Sequence, residues 1–137
     1  MTEARAGLSG RVDRILEELQ VAAAIDADGD WRLQTDAGPF LLVIDRDNGD
    51  LVAIQKIREM KPAIADHADV MYLLMRLNLE AEGACFAALE DGDTDLLILA
   101  ARLGADAVTR ESVESMLRDA ARLSRRLDEA TGSPPAT

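Results

Sequence analysis

Aspartates at alternate positions are the residues of this chain whose type and spacing could do chemistry, because carboxylates two residues apart are typical of calcium-binding loops. The spacing occurs in EDGDTDLLILA, residues 90–100, again in DADGDWRL, and more loosely in DRDNGDLV. The side chains concerned are Asp91, Asp93 and Asp95, then Asp26, Asp28 and Asp30, and finally Asp45 and Asp47. Three such loops would make a calcium protein.

The loops lack the two positions that complete an EF-hand, which needs a glycine at its sixth residue and a bidentate glutamate at its twelfth. Those positions hold Leu96 and Arg102 in one loop, Trp31 and Ala37 in the next, and Asp50 and Lys56 in the last. Strand-forming residues flank each loop, and Asp-Gly or Asn-Gly between such runs is typical of hairpins. The sequence therefore predicts hairpin turns and no metal site, with a calcium-responsive module as an alternative.

The residues that could carry catalysis are few. His67 is the only histidine and stands between Asp66 and Asp69, which favours a solvated helix face over a catalytic role. Cys85 lies among small apolar residues, which favours a buried structural thiol over a nucleophile. No nucleophile elbow, phosphate loop or dinucleotide fingerprint is present. We therefore predict no catalytic residues, no cofactor and no enzyme activity.

The composition limits the partners. With 26 acidic and 15 basic residues among 137, the net charge is −11, which repels nucleic acid and anionic lipid surfaces. No apolar run is long enough for a signal peptide or a membrane span, and a single cysteine excludes an internal disulfide. These features predict a cytoplasmic protein with neither nucleic acid nor membrane as its partner.

The hydrophobic periodicity predicts three helices and five strands. Apolar residues at helical spacing mark a first helix around residues 8–19, a second that ends near Asn78, and a long third helix capped by Thr109. The predicted strands are residues 31–35, 40–44, 51–57, 84–89 and 96–101. The order is helix, three-strand antiparallel meander, helix, two-strand hairpin, helix. We predict one α+β domain over residues 1–130, followed by a frayed tail over residues 131–137.

Two of the predicted strands, FLLVI and LLILAA, are apolar on both of their faces. An antiparallel sheet covered on one side would alternate between apolar and polar residues, so both faces of these strands need a cover. Helices on each side of the sheet would provide it within the chain. Alternatively, another polypeptide covers part of the second face.

Residues suited to a homodimer seam occur in the second helix. Met71 and Met75 lie one turn apart with Tyr72 between them, partly off the apolar stripe of that helix. Methionine adapts to varied contacts and tyrosine is frequent in interfaces. Packing in the core explains the same three residues almost as well.

The chain resembles the YbjN-type domain family and the related type III secretion chaperones. The resemblance spans nearly the whole chain and is carried by DADGDWRLQTDAGPFLLVIDRDNGDLV, by YLLMRLN, by ACFAALEDGDTDLLILAARL and by VTRESVESMLRDAARLSRRL. It implies a secretion-chaperone-like domain, usually a homodimer, that binds an extended segment of a client protein along apolar grooves. It also implies a helix-terminating role for Asn78, which matches the recurrent Leu-Asn of the family.

The first helix and the meander strands provide the candidate groove for a client protein or peptide, namely Leu8, Val12, Ile15, Leu33 and Leu42. The same five residues also fit a core. Because YbjN-type relatives are often described as sensory or regulatory proteins, the alternative function is a regulatory module that responds to a small ligand or to calcium.

Overall fold

A computed structural model of the chain describes residues 2–60, 68–92 and 94–131. Its elements are, in order, α1 (Thr2–Glu18), β1 (Ala22–Ile25), β2 (Trp31–Thr35), β3 (Gly38–Ile44), β4 (Leu51–Met60), α2 (Ala68–Leu79), β5 (Ala84–Asp91), β6 (Thr94–Leu103), a short 3-10 helix (Ala105–Ala107) and α3 (Arg110–Thr131). The predicted α+β order is confirmed. The predicted tail differs by one residue, since Thr131 belongs to α3, and the rest of that tail lies outside the described residues.

The six strands form one antiparallel sheet in the order β1-β2-β3-β4-β6-β5. The meander and the β5–β6 hairpin are as predicted, and Gly92, with a φ of 65°, stands in the turn between Asp91 and Thr94. Strand β1 was not predicted. Three of its four residues are alanines, which have low strand propensity, so no sequence pattern marks it.

One face of the sheet packs against the helices and forms the core. A single row of paired residues crosses all six strands on this face, and its members are Ile25, Trp31, Leu42, Ala53, Ala101 and Ala84. All of them are buried except Ile25, which is 60% exposed at the β1 edge. Buried side chains from α1, α2 and α3 belong to the same core cluster. The described helices therefore share one side of the sheet.

Helix α3 lies across this core because its apolar residues repeat at helical spacing. Val113, Met116, Ala120, Leu123 and Leu127 are buried along one stripe. Its start is fixed by a reciprocal pair of bonds, in which Ser112 N–H donates to Thr109 Oγ1 and Thr109 N–H donates to Ser112 Oγ. The predicted cap at Thr109 is confirmed.

Among the described residues the helices all pack on the first face of the sheet, and none covers the second, so the alternative with helices on both sides is not seen there. A row on this face runs through Ala24, Arg32, Leu41, Ile54, Ala100 and Cys85. Leu41 and Ile54 are half-buried by their neighbours, and the stem of Arg32 lies beside them. On this second face FLLVI is therefore partly in contact with water, whereas Ile98 in LLILAA is buried at 4% exposure outside the main core cluster.

Adjacent leucines on β3 test this one-sided packing. Leu42→Ala should lower the free energy of unfolding by about 2 to 5 kcal/mol, because it opens a cavity in the core. Leu41→Ala should cost only about 1 kcal/mol, because that side chain is half-buried on the uncovered face. Urea unfolding of both variants measures the difference, and equal losses would show that something covers the second face as well.

Candidate functional site

The five residues predicted to line a client groove are core residues. Leu8, Val12, Ile15, Leu33 and Leu42 are between 0% and 5% exposed, and all belong to the cluster shared by helices and sheet. A client cannot contact them in this conformation, which corrects the predicted groove. The physical reason is that the helical stripe and the inner faces of the strands bury each other.

The three residues predicted for a homodimer seam are exposed on α2. Met71 is 38% exposed, Tyr72 65% and Met75 67%. The guanidinium of Arg76 lies 5.9 Å from the centre of the Tyr72 ring, which is within cation–π range. The structure thus places all three where a second subunit could contact them.

Two residues, His67 and Cys85, were considered as candidates for catalysis. His67 lies outside the described residues. Cys85 is exposed, so the prediction of a buried thiol is wrong. Its side chain points to the uncovered face of an edge strand, where no described helix packs.

The aspartate loops around Asp26 and Asp45 are hairpin turns, as predicted. Asp26 N–H donates to the Asp30 carbonyl over 2.9 Å, and Gly29 adopts a φ of 83°. The Asp26 carboxylate accepts the N–H groups of Asp28 and Asp30 and lies 3.4 Å from Arg32. One carboxylate oxygen from each of Asp26, Asp28 and Asp30 lies within 4.8 Å of the others. The turn therefore concentrates negative charge beside the end of β1.

The side chain of Asn78 closes the β5 edge of the sheet at Phe86. Phe86 N–H donates to Asn78 Oδ1 over 2.7 Å, and Asn78 Nδ2 donates back to the Phe86 carbonyl over 3.2 Å. Asn78 is the penultimate residue of α2, so it stands near the end of that helix as expected. Its amide also occupies the two backbone groups that another strand would use.

Asp119 closes the same edge at the start of β5. This side chain of α3 is 6% exposed, and its Oδ2 accepts the backbone N–H groups of Glu82, Gly83 and Ala84 at 2.9 to 3.1 Å. Its Oδ1 accepts from Arg122 over 2.6 Å. Burial raises the pKa of Asp119, but Arg122 and the three N–H donors outweigh it, so the pKa lies below its ordinary value of 3.8.

Two arginines of α3 hold the loop between α2 and β5. Arg122 donates to the carbonyl of Glu80, and Arg126 forms an ion pair with the Glu80 carboxylate at 3.1 Å. The Arg126 hydrogen bond lowers the pKa of Glu80. The β5 edge is thus fastened by side chains from both α2 and α3.

The β1 edge has no comparable closure among the described residues. Because Asp26 is bonded to Asp30 across the hairpin, alternation directs the backbone groups of Ala23 and Ile25 away from β2. No described side chain bonds to them. Strand β1 itself carries no charge, and all four of its side chains are exposed. Such an edge is a template for pairing with another strand.

A cleft of about 350 Å³ lies beside this edge, between α1 and β1. Helix α1 contributes Asp13, Leu16 and Glu17 to its lining, and the remaining lining residues are Val21, Ala23, Ile25 and Trp31. The Trp31 indole N–H donates to Asp13 Oδ1 over 2.6 Å. The core row of the sheet therefore ends in a solvent-facing cleft with apolar walls and two carboxylates.

Comparison with known proteins places this arrangement in a family. A family model described as "YbjN: Putative bacterial sensory transduction regulator" matches residues 9–132. The chain belongs to the YbjN family. The crystal structure of YbjN, described as a putative transcription regulator from E. coli, superimposes with a TM-score of 0.62 at 13% identity, over 93% of this chain and 96% of that one. Among curated proteins there is no significant match.

A second solved structure has the same fold. It is the complex of HopA1 with SchA, a chaperone–effector complex, and the match has a TM-score of 0.66 at 13% identity. The alignment covers 88% of this chain and 91% of that one. The YbjN-family domain therefore has a secretion-chaperone-like fold. Within the described residues, no helix is long and apolar enough to cross a membrane.

The sequence reasoning missed the open edge and the acidic cleft beside it. Asp13 and Glu17 lie one turn apart on α1, a spacing that gives no signal because acids are common on exposed helix faces. The uncharged stretch VAAAI between two acidic segments was the available clue, since edge strands usually carry charge or proline.

The carboxylate that closes β5 gives a pH-dependent prediction. Since the folded pKa of Asp119 is lowered, its contribution to stability is present above the unfolded value and is lost as the pH falls through the folded one. Asp119→Asn should lower the free energy of unfolding by about 1 to 3 kcal/mol at pH 7. The difference in unfolding free energy between the variant and the original protein should become smaller below about pH 4.

Chemical denaturation from neutral to acidic pH measures this gap. Asp106→Asn, which changes an exposed aspartate, serves as the control and should leave stability nearly unchanged. A constant gap for Asp119→Asn across the whole pH range would contradict the role assigned to the charge.

Proposed function

We propose that this protein is a non-enzymatic client-binding domain that acts in the cytoplasm and takes an extended segment of another protein as an added strand on β1. The observation that carries the proposal is the asymmetry of the sheet. Side chains close the first half of the β5 edge, at Ala84 and Phe86, whereas no described side chain closes the β1 edge, which lies beside a cleft. Addition of a strand to such an edge is a common mode of peptide recognition.

Backbone hydrogen bonds to β1 would fix the register of the client strand, and these bonds together with the cleft would contribute to its affinity. Ala23 and Ile25 offer N–H and C=O groups to a client backbone, and each hydrogen bond contributes about 0.5 to 1.5 kcal/mol. An apolar anchor in the cleft contributes about 1.5 to 3 kcal/mol. Ordering a flexible client opposes these terms, so a segment longer than β1 is needed to reach micromolar affinity, about −8 kcal/mol.

The comparisons support this function at the level of fold. SchA is the chaperone in a chaperone–effector complex, and its fold is shared by this chain. The chemistry of the described residues agrees with binding, since the exposed thiol of Cys85 has no cationic partner among them to activate it. The family description as a sensory regulator is compatible with a domain that signals by holding a client.

A proline at the open edge tests the proposal. Ala23→Pro removes an outward N–H without breaking the β1–β2 ladder, because edge strands tolerate proline where the N–H faces solvent. Ten-residue peptides selected for binding from a displayed library should bind this variant at least about tenfold more weakly, since one hydrogen bond and the strand register are lost. Fluorescence anisotropy measures the affinity.

Ala88→Pro is the matched control, because alternation from Ala84 and Phe86 directs its N–H outward from the opposite edge. This variant should bind the peptides as the original protein does. Amide exchange by NMR should also slow at Ala23 and Ile25 when peptide binds. Equal binding by both proline variants, with no protection of β1, would refute strand addition.

We further propose that the protein is a homodimer joined through α2. Met71, Tyr72 and Met75 are exposed at neighbouring positions of α2, and exposed apolar side chains are typical of subunit contacts. A two-fold contact would bring this helix against its copy. The proposal leaves the β1 edge of each subunit free for a client.

Replacement of the exposed apolar residues tests the dimer. The double variant Tyr72→Ser, Met75→Ser should sediment as a monomer at about 50 μM, a concentration at which an interface of micromolar affinity is mostly formed. Ile25→Ser, which removes an exposed apolar residue far from α2 in the sequence, is the control and should stay dimeric. Sedimentation of the unaltered protein as a monomer would overturn the dimer.

A further inference from the structure

We infer that the β1 edge selects a basic strand, one with lysine or arginine at alternate positions whose side chains enter the cleft beside α1. This inference rests on the proposed function, since it names the chemistry of the segment that would add to β1. It depends on three features of the described residues: the face on which the added side chains must lie, the charges that line the cleft, and the absence of cations in the cleft itself.

The register of β1 decides where the added side chains point. Ala23 pairs with Leu33 and Ile25 with Trp31, so the side chains of Ala23 and Ile25 lie on the helix side of the sheet. In a sheet, residues directly opposite each other place their side chains on the same face. Client residues opposite Ala23 and Ile25 therefore project toward α1 and into the cleft.

The cleft suits a side chain with an apolar stem and a cationic end. Leu16, Val21 and Trp31 provide apolar walls, and the carboxylates of Asp13 and Glu17 lie one helical turn apart along α1. Lysine and arginine bury their methylene stems against apolar surface while the charged group stays at the rim. A wholly apolar client side chain would leave those carboxylates without a cationic partner.

The acidic groups of the cleft have no cation of their own among the described residues. Asp13 Oδ1 accepts from the Trp31 indole, and no described residue bonds its second oxygen. No described basic side chain pairs with Glu17. By contrast, the acids that flank the β3–β4 turn are paired, with Arg102 at 3.1 Å from Asp45 and 3.0 Å from Asp50. The unpaired charge lies where the client would enter.

A second copy of this chain does not fit this edge as the occupant. Antiparallel pairing of two β1 strands would place uncharged side chains from the sequence AAAI opposite the cleft, and these offer no cation. It would also bring together two chains of net charge −11, with the Asp26–Asp30 turn close to the contact. A basic segment of another protein is the complementary occupant.

Synthetic strands of matched length test the inference. Capped ten-residue peptides alternate threonine with a variable residue X, where X is lysine, glutamine, norleucine or glutamate at every variable position. The lysine peptide should bind at least about tenfold more tightly than the glutamine peptide, and the glutamate peptide should bind most weakly. Raising the salt from about 50 to 500 mM should weaken only the lysine peptide substantially.

Neighbouring glutamates on α1 supply the matched variants. Glu17→Gln should weaken binding of the lysine peptide roughly two- to fivefold and leave the glutamine peptide unchanged, because only one charge contact is removed. Asp13→Asn keeps an oxygen for the Trp31 indole and should act in the same direction. Glu18→Gln, an exposed residue outside the cleft lining, changes the net charge equally and should have little effect.

The outcomes separate the inference from the function on which it rests. If no peptide binds and the β1 amides gain no protection, the proposed strand addition fails. If the norleucine or glutamine peptide binds as tightly as the lysine peptide, strand addition stands and the basic selectivity is overturned. If Glu17→Gln and Glu18→Gln weaken the lysine peptide equally, the net charge of the protein causes the preference and the cleft does not.

Discussion

Every open β-sheet has two outer strands whose backbone N–H and C=O groups lack partners within the sheet, and this constraint governs the molecule. At one end, Asp119 and Asn78 take the outward groups of Ala84 and Phe86 in β5 with their own side chains. At the other end, β1 has four small or apolar residues and no described side chain that does the same. Among the described residues, the β5 edge is therefore closed at Ala84 and Phe86, whereas the β1 edge has no such closure along its length.

The closed edge also ties the helices together. Asp119 belongs to α3 and Asn78 to α2, yet both bond to the first residues of β5 or to the loop before it. Arg122 and Arg126 bring Glu80 into the same group. The hydrogen bonds that protect the edge thus also fix the position of α2 on the core, and the exposed face of α2 is presented from a rigid base.

Much of the fold was predictable because it follows from local patterns. The stripe of α3, the cap at Thr109 and the hairpin turns depend on residues close together in sequence. The closure by Asp119 was not predictable, since its partners lie 35 to 37 residues away in the chain. The apolar stripe of α1 and the inner residues Leu33 and Leu42 would show the same sequence pattern in a core and in a client groove. Their burial in the structure assigns them to the core. Cys85 was predicted to be buried because its neighbours in the sequence are small and apolar. Those neighbours do not reveal that its side chain lies on the uncovered face of β5.

The single tryptophan of the chain gives the open edge a built-in optical reporter. Trp31 is almost fully buried, lines the cleft and donates its indole N–H to Asp13. Indole emission depends on the polarity around the ring and on this hydrogen bond, and no second tryptophan contributes to the signal. Intrinsic fluorescence of the unlabelled protein therefore reads out the junction between α1 and β1 directly, without a dye and without background from the rest of the fold.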